Sequence, residues 1–369
     1  MKYLDEYRDP VAARKLLQEI RRTASRGWRI MEVCGGQTHS LLQHGIEQEL
    51  DGVVELIHGP GCPVCVTPLE AIEFALELAR QAGVMLTSFG DMLRVPGREQ
   101  SLLDVQSAGG QVRTVYSPLD ALQWARQHPE QQVVFFAVGF ETTAPATALA
   151  VLQAAQEGIE NFSLLVSHVR VQPAMESIAK EPNHRVEAFL AAGHVCTVMG
   201  YETYVTFAKQ FRLPVVVTGF EPLDLLSGIL AAVRQLETGE ARVSNEYGRT
   251  VRPAGNLAAQ DVVQSVYEVC DRSWRGLGIV PSGGLRLRPE WRRFDAAVRW
   301  SHLVPFNILE PERCRSAEVL TGRIRPTECE AFGTECRPES PLGAPMVSSE
   351  GACAAYFRFA PNQTPQSPL

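Results

Sequence analysis

Eight short runs rich in Val, Ile, Leu and Phe recur at 28–33, 53–57, 84–88, 112–116, 133–138, 163–169, 195–199 and 214–218. Each is followed by a loop containing Gly or Pro and then by a helical stretch. Runs without polar alternation are buried on both faces, as in a parallel sheet covered by helices. Eight such βα units can close one barrel or split into two open sheets, and the repeat alone leaves both open. Phe89-Gly90-Asp91, Gly139-Phe140-Glu141 and Gly219-Phe220-Glu221 end three of the runs with a similar signature, which suggests internal duplication. Before the runs, residues 10–24 space their apolar side chains as an amphipathic helix with Pro10 in its first turn.

Ligands of open α/β sheets sit outside the carboxyl ends of the strands, and here those ends hold most of the unusual residues. From about Glu237 the rhythm fades into polar, Arg- and Gly-rich sequence. At roughly 100–200 residues per domain the length allows two or three domains. The net charge of −7 offers no basic footprint for nucleic acid. The opening MKYLDEYRDP has no apolar signal region, and the longest apolar runs fall short of the ~18 residues of a membrane span. The expectation is a soluble cytoplasmic protein with no nucleic-acid or membrane partner.

Nine cysteines are too sparse and too odd in number for a secreted disulfide scaffold. Cys34 lies between a strand and a helix in Val33-Cys34-Gly35-Gly36-Gln37-Thr38-His39, where a helix N-terminus favours thiolate. The bland reading is a turn with a small buried thiol. Cys62 and Cys65 form a CxxC after another strand, a spacing that permits a disulfide or two metal bonds. Cys314, Cys329, Cys336 and Cys353 are separated by 14, 6 and 16 residues. Four thiolates can hold a cubane cluster or a zinc ion; the absence of close zinc-knuckle pairs favours the cluster. No Walker A loop, GxGxxG fingerprint or radical adenosylmethionine CxxxCxxC pattern occurs.

Glu141, Thr142 and Thr143 end the most apolar run and either face a cleft or, through Thr143, cap a helix ahead of Pro145. His168 and His194 flank strand-like segments, a common place for satisfied core histidines. Cys270, in VVQSVYEVCD, reads as a core residue on a helix.

Taken together, MEVCGGQTH, HGPGCPVCVTP, GFETTAP, GHVCTVMG, VTGFEPLDLL and MVSSEGACAAYF resemble the HypD family of hydrogenase maturation factors, from KYLDEYRDP to Phe357. The resemblance implies a scaffold on which, with the small partner HypC, an iron bearing two cyanides and one carbon monoxide is assembled for [NiFe]-hydrogenase. HypE supplies the cyanide, and the hydrogenase large subunit receives the product. It implies Cys34 as the thiolate holding that transient iron and Cys62 with Cys65 as a redox pair. It also implies Cys314, Cys329, Cys336 and Cys353 as [4Fe-4S] ligands. His39, Glu141, Thr142, Thr143, His194 and Glu350 fall inside further family motifs as candidate catalytic residues.

Many members have histidine where this chain has Gln37 and serine where it has Cys196; a glutamine amide is a poor ligand for a soft metal. Cys196 reads as a small replacement or as an additional thiol in the cleft. The chain is read as α/β: two Rossmann-like parallel-sheet domains related by internal duplication, plus a C-terminal [4Fe-4S]-binding domain. The expected boundaries are an N-terminal helix at 1–27 packing on the C-terminal domain, α/β domains at 28–125 and 126–235, an iron–sulfur domain at 236–359 and a disordered tail at 360–369. Electrons passing from the cluster through Cys62 and Cys65 to the Cys34 site would link the thiols. A stand-alone iron–sulfur thiol–disulfide oxidoreductase is the alternative, and a structural zinc protein a third reading.

Overall fold

The computed structural model describes residues 5–305 and 313–360; the expected tail lies outside the described residues from 361 onward. The first nine strands are β1 (Trp28–Glu32), β2 (Val54–His58), β3 (Val84–Ser88), β4 (Val112–Thr114), β5 (Gln132–Gly139), β6 (Phe162–His168), β7 (Ala188–Ala192), β8 (Val215–Thr218) and β9 (Val243–Asn245). They build two open parallel sheets, ordered β2-β1-β7-β8-β9 and β4-β3-β5-β6. The chain is therefore an α/β protein with two Rossmann-like sheets, not one barrel.

Counted within each sheet, both run in the order 2-1-3-4, and the first adds a fifth strand. The two sheets are not consecutive in sequence. After β2 the chain leaves the first sheet, completes the second between residues 84 and 168, and returns to pair β7 against β1. The expected division into 28–125 and 126–235 does not follow the sheets, and β9 extends the first sheet past 235. Local apolar patterning marks strands, whereas sheet membership is set by pairing between segments more than a hundred residues apart.

The expected strand at 195–199 is part of the helix Gly193–Met199, and the strand lies just before it, at β7. Its Ala-Phe-Leu-Ala-Ala sequence has little β propensity, but all five residues are buried in the middle of the sheet, where small side chains fit between covering helices. The polar stretch after 236 contains a long antiparallel ribbon, β10 (Tyr267–Trp274) and β11 (Gly278–Leu287). Cys270 belongs to β10, beyond the end of the helix Leu257–Val266, and is half-buried. The ribbon adheres to the second sheet through a Val169–Gly284 bridge and the Arg170 amide, which donates to the Gly283 carbonyl at 2.9 Å.

The opening helix, Pro10–Thr23, is capped by Asp9, whose carboxylate accepts from the amides of Val11 (2.7 Å) and Ala12 (3.0 Å). It packs on the helix Pro222–Thr238 over the first sheet, not on the C-terminal region as expected. Its buried Leu17 and Ile20 join a cluster with Leu226, Ile229 and Leu230, and Glu19 pairs with Arg234 at its rim. The C-terminal helix Ala352–Phe359 instead lies against Gly35–Gln43, which follows β1. Among the described residues no helix is long and apolar enough to cross a membrane.

Phe189 on β7 is fully buried and meets Phe207 edge-on at 5.6 Å. Phe189→Ala should lower unfolding stability by about 3–5 kcal/mol, read as a shift of the denaturant midpoint.

Candidate functional site

In an open sheet the ligand crevice lies at the carboxyl ends of the two strands where the winding reverses. In the first sheet those strands are β1 and β7, and in the second β3 and β5. Cys34 follows β1, His194 follows β7, Asp91 follows β3 and Glu141 follows β5. Both switch points thus end in candidate site residues.

Cys34 is half-buried at the N-cap of Gly35–Gln43, its carbonyl accepting from the amides of Gln37 (2.8 Å) and Thr38 (3.1 Å). The CPVC loop lies directly on it. The Gly35 amide donates to the Gly61 carbonyl at 2.7 Å, and the backbone of Gly61 is so close to that of Cys34 that no side chain fits there. Cys62 and Cys65 are joined as a disulfide with Cα atoms 5.2 Å apart. Their residues are only 3% and 0% exposed.

The C-terminal segment closes the cleft. Glu350 packs over Gly35, and His39 Nδ1 lies 3.1 Å from the Ser349 carbonyl, its ring edge-on to Phe359 at 4.9 Å. Burial raises the Glu350 pKa, reinforced by the charge of Asp91 from the second sheet. Burial pushes the Cys34 thiol up to about 12, with the charges of Glu350 and then Glu32 adding to the shift. The helix N-terminus on which the expected thiolate rested is outweighed: two amides act against desolvation and two nearby carboxylates.

Cys196 is fully buried near this point, its thiol raised by burial and then by the charge of Glu141. Glu141 accepts the Val171 amide through both oxygens, at 3.1 and 3.3 Å, and burial lifts its pKa to about 7. Thr142 is half-buried. The Thr143 hydroxyl donates back to the Phe140 carbonyl at 3.0 Å and does not cap the helix Ala144–Glu157. His194 stacks on Phe220 at 4.0 Å, its pKa lowered by burial, and Phe220 in turn covers Gly36. His168 is a satisfied core residue. Burial drives it to about 4, and its ring nitrogens meet Thr147 at 2.8 Å and the Gly139 carbonyl at 3.3 Å. Gln37 is fully buried and donates to the carbonyls of Ala191 (3.1 Å) and Thr218 (3.3 Å), tying Cys34's helix to the ends of β7 and β8.

Cys314, Cys329, Cys336 and Cys353 line one cavity with Gly343, Pro345 and Met346. The Leu342 amide points at the Cys336 sulfur at 3.4 Å, and a side chain at 343 would collide with the Cys314 sulfur. Among the described residues no three His, Cys, Asp or Glu side chains converge on a single ion. Segment 343–346 separates this cavity from the disulfide, its Ala344 carbonyl 3.9 Å from the Cys65 sulfur. Glu32 and His58 were missed, although both lie in the quoted motifs. Glu32 Oε2 accepts the Cys34 amide at 2.8 Å, and a carboxylate two residues before a cysteine at a buried strand end was the available signal.

The sequence matches the HypD family, described as "Hydrogenase formation hypA family", across residues 11–360. The chain belongs to the HypD family. It is 44% identical to the hydrogenase maturation factor HypD of Escherichia coli K12 over 97% of this chain and 98% of that protein. It is 45% identical to HypD of Azotobacter vinelandii, over 97% of each chain. HypD of Rhodobacter capsulatus is 44% identical over 97% of this chain and 98% of its own. The motifs that the HypD-family chain carries in separate stretches of sequence are thus gathered around one cleft and one adjoining cavity.

With its pKa pushed up to about 12, Cys34 is almost wholly thiol at pH 8. Iodoacetamide labelling of Cys34 in the metal-free protein should be slow and rise about tenfold per pH unit up to pH 10. A plateau near the ordinary thiol pKa of about 8.5 would contradict the assignment.

Proposed function

We propose that this chain is an assembly scaffold for hydrogenase maturation. Cys34, with a thiolate from the small partner HypC, holds an iron that acquires two cyanides, by way of HypE, and one carbon monoxide. The finished unit then passes to the hydrogenase large subunit. The observation that carries the reading is the stack of three thiol groups: Cys34 at a strand-end cleft, the Cys62–Cys65 pair packed on its loop, and four cysteines around the next cavity.

The iron at Cys34 is cargo. A soft thiolate suits iron with strong-field ligands, and binding must displace the thiol proton. The raised Cys34 pKa makes that displacement depend on the metal, while the charges of Glu350 and Glu32 that disfavour thiolate attract a cation. Cys34 supplies one thiolate, and a partner's sulfur would supply another.

The second cavity fits a [4Fe-4S] cluster: four cysteines line it, an amide is aimed at one of their sulfurs, and Gly343 leaves room for another. Cys314, Cys329, Cys336 and Cys353 would hold the cluster, which supplies one-electron chemistry when bound. Reduction of the Cys62–Cys65 disulfide takes two electrons and two protons and yields two thiols beside the Cys34 loop. The alternative of a stand-alone disulfide oxidoreductase is disfavoured because both sulfurs of the pair are buried from an outside disulfide.

Anaerobic co-purification with HypC, followed by iron and sulfide analysis, tests the scaffold reading. The wild type should carry cargo iron that Cys34→Ser loses almost completely while retaining the visible absorption of the cluster. Cys329→Ser should do the reverse, losing the absorption and the sulfide but keeping the cargo iron. If both variants lose both signals, or neither variant changes either, the division of labour among the thiols is wrong.

A further inference from the structure

A chain of buried polar side chains runs beneath the Cys34 loop. Glu32, the last residue of β1, is fully buried. Its Oε2 accepts the Cys34 amide at 2.8 Å, and its Oε1 accepts from His58 Nδ1 at 2.9 Å and from the Thr38 hydroxyl. His58, the last residue of β2, turns Nε2 towards Glu47 Oε2 at 3.7 Å. Glu47 Oε1 accepts the Tyr356 hydroxyl at 2.5 Å, and the Tyr356 ring meets His58 edge-on at 5.4 Å. Tyr356 lies three residues after Cys353 on the helix Ala352–Phe359.

Burial acts to discharge the His58 ring, but the hydrogen bond to Glu32 and the nearby charge of Glu47 outweigh it and hold the ring up to about 9. His58 thus lies between two carboxylates, and each group is tolerated in the interior because its neighbours are present. Apolar residues at the ends of two adjacent strands would be a cheaper way to fill this space. The arrangement instead gives the Cys34 amide a fixed acceptor and links that acceptor, through three side chains, to the helix carrying Cys353.

We propose that Glu32 is the positioning residue for Cys34, and that the chain Glu32–His58–Glu47–Tyr356 fixes the Cys34 turn against the C-terminal helix. This rests on the reading that Cys34 holds iron. The Glu32 carboxylate touches the ligand's backbone and not the metal, and it aims the sulfur by fixing the peptide that carries it. Partners of this kind behind a metal ligand typically change affinity by about 10–100-fold.

The test is ferrous iron titration of the anaerobic full-length chain with HypC, alongside iodoacetamide labelling of Cys34 and the visible absorption of the cluster. Tyr356→Phe removes one hydroxyl and keeps the ring; it should weaken iron binding about tenfold with the cluster absorption unchanged. Glu32→Ala should abolish loading. Glu32→Gln should restore a measurable part of it, because the amide oxygen still accepts the Cys34 N–H, and this rescue distinguishes aiming from general support of the fold.

Wild-type loading by a folded Tyr356→Phe variant, or a Glu32→Gln variant no better than Glu32→Ala, overturns the proposal. Should Glu32→Ala fail to fold, Tyr356→Phe and Glu32→Gln decide it against the wild type. A wild type that takes up no more iron than Cys34→Ser instead removes the iron reading. The Cys34 labelling rates of the same variants then decide the positioning claim, which stands if they differ from the wild type and falls if they match it.

Discussion

The 2.7 Å hydrogen bond from the Gly35 amide to the Gly61 carbonyl joins two strand-end loops that carry different chemistry. Because β1 and β2 are neighbours in register, the loops that follow them emerge side by side. Gly61 has no side chain to hold them apart. The thiol of one loop and the disulfide of the other are thereby adjacent without being linked. The C-terminal segment then needs only to seat on Gly35–Gln43, and the remaining thiols fall in behind the pair.

The βα alternation made the class and most strands readable, because runs such as Val133 to Val138 are apolar on both faces wherever they lie. It could not reveal that residues 84–168 are a complete sheet inserted into another, since partnering β1 with β7 leaves no local trace. The misplaced strand at 195–199 has the same origin. β-branched residues on a short buried helix mimic a strand, and the alanines of β7 mimic a helix until their position inside the sheet is known. The β10–β11 ribbon was hidden because glycines occupy buried positions of β11, where apolar side chains would have marked a strand, and Arg286 an exposed one.

At the site, residue identity carried more than pattern. Cysteines and short glycine-rich motifs stood out, and the structure brings Cys34, Cys62, Cys65, His39, Glu350, Glu141 and His194 to neighbouring strand ends and the segment that closes over them. Protonation was not legible. The helix position of Cys34 suggested an easily ionised sulfur, but burial decides the matter, together with the charge of Glu350, more than three hundred residues away in sequence. Glu32 and His58 escaped notice because a charged residue closing a strand is ordinary until its partners are seen.

Burial of the Cys34 thiol among carboxylates also bears on how that sulfur survives encounters with oxidants. Oxidants and small disulfides react with thiolate, and the thiol form is nearly inert towards them. A sulfur that ionises readily would be consumed in passing encounters, by peroxide or by exchange with the disulfide lying next to it. Held as a thiol, Cys34 stays chemically quiet beside its own oxidised neighbours; in the role proposed for it, the arrival of a cation would wake it.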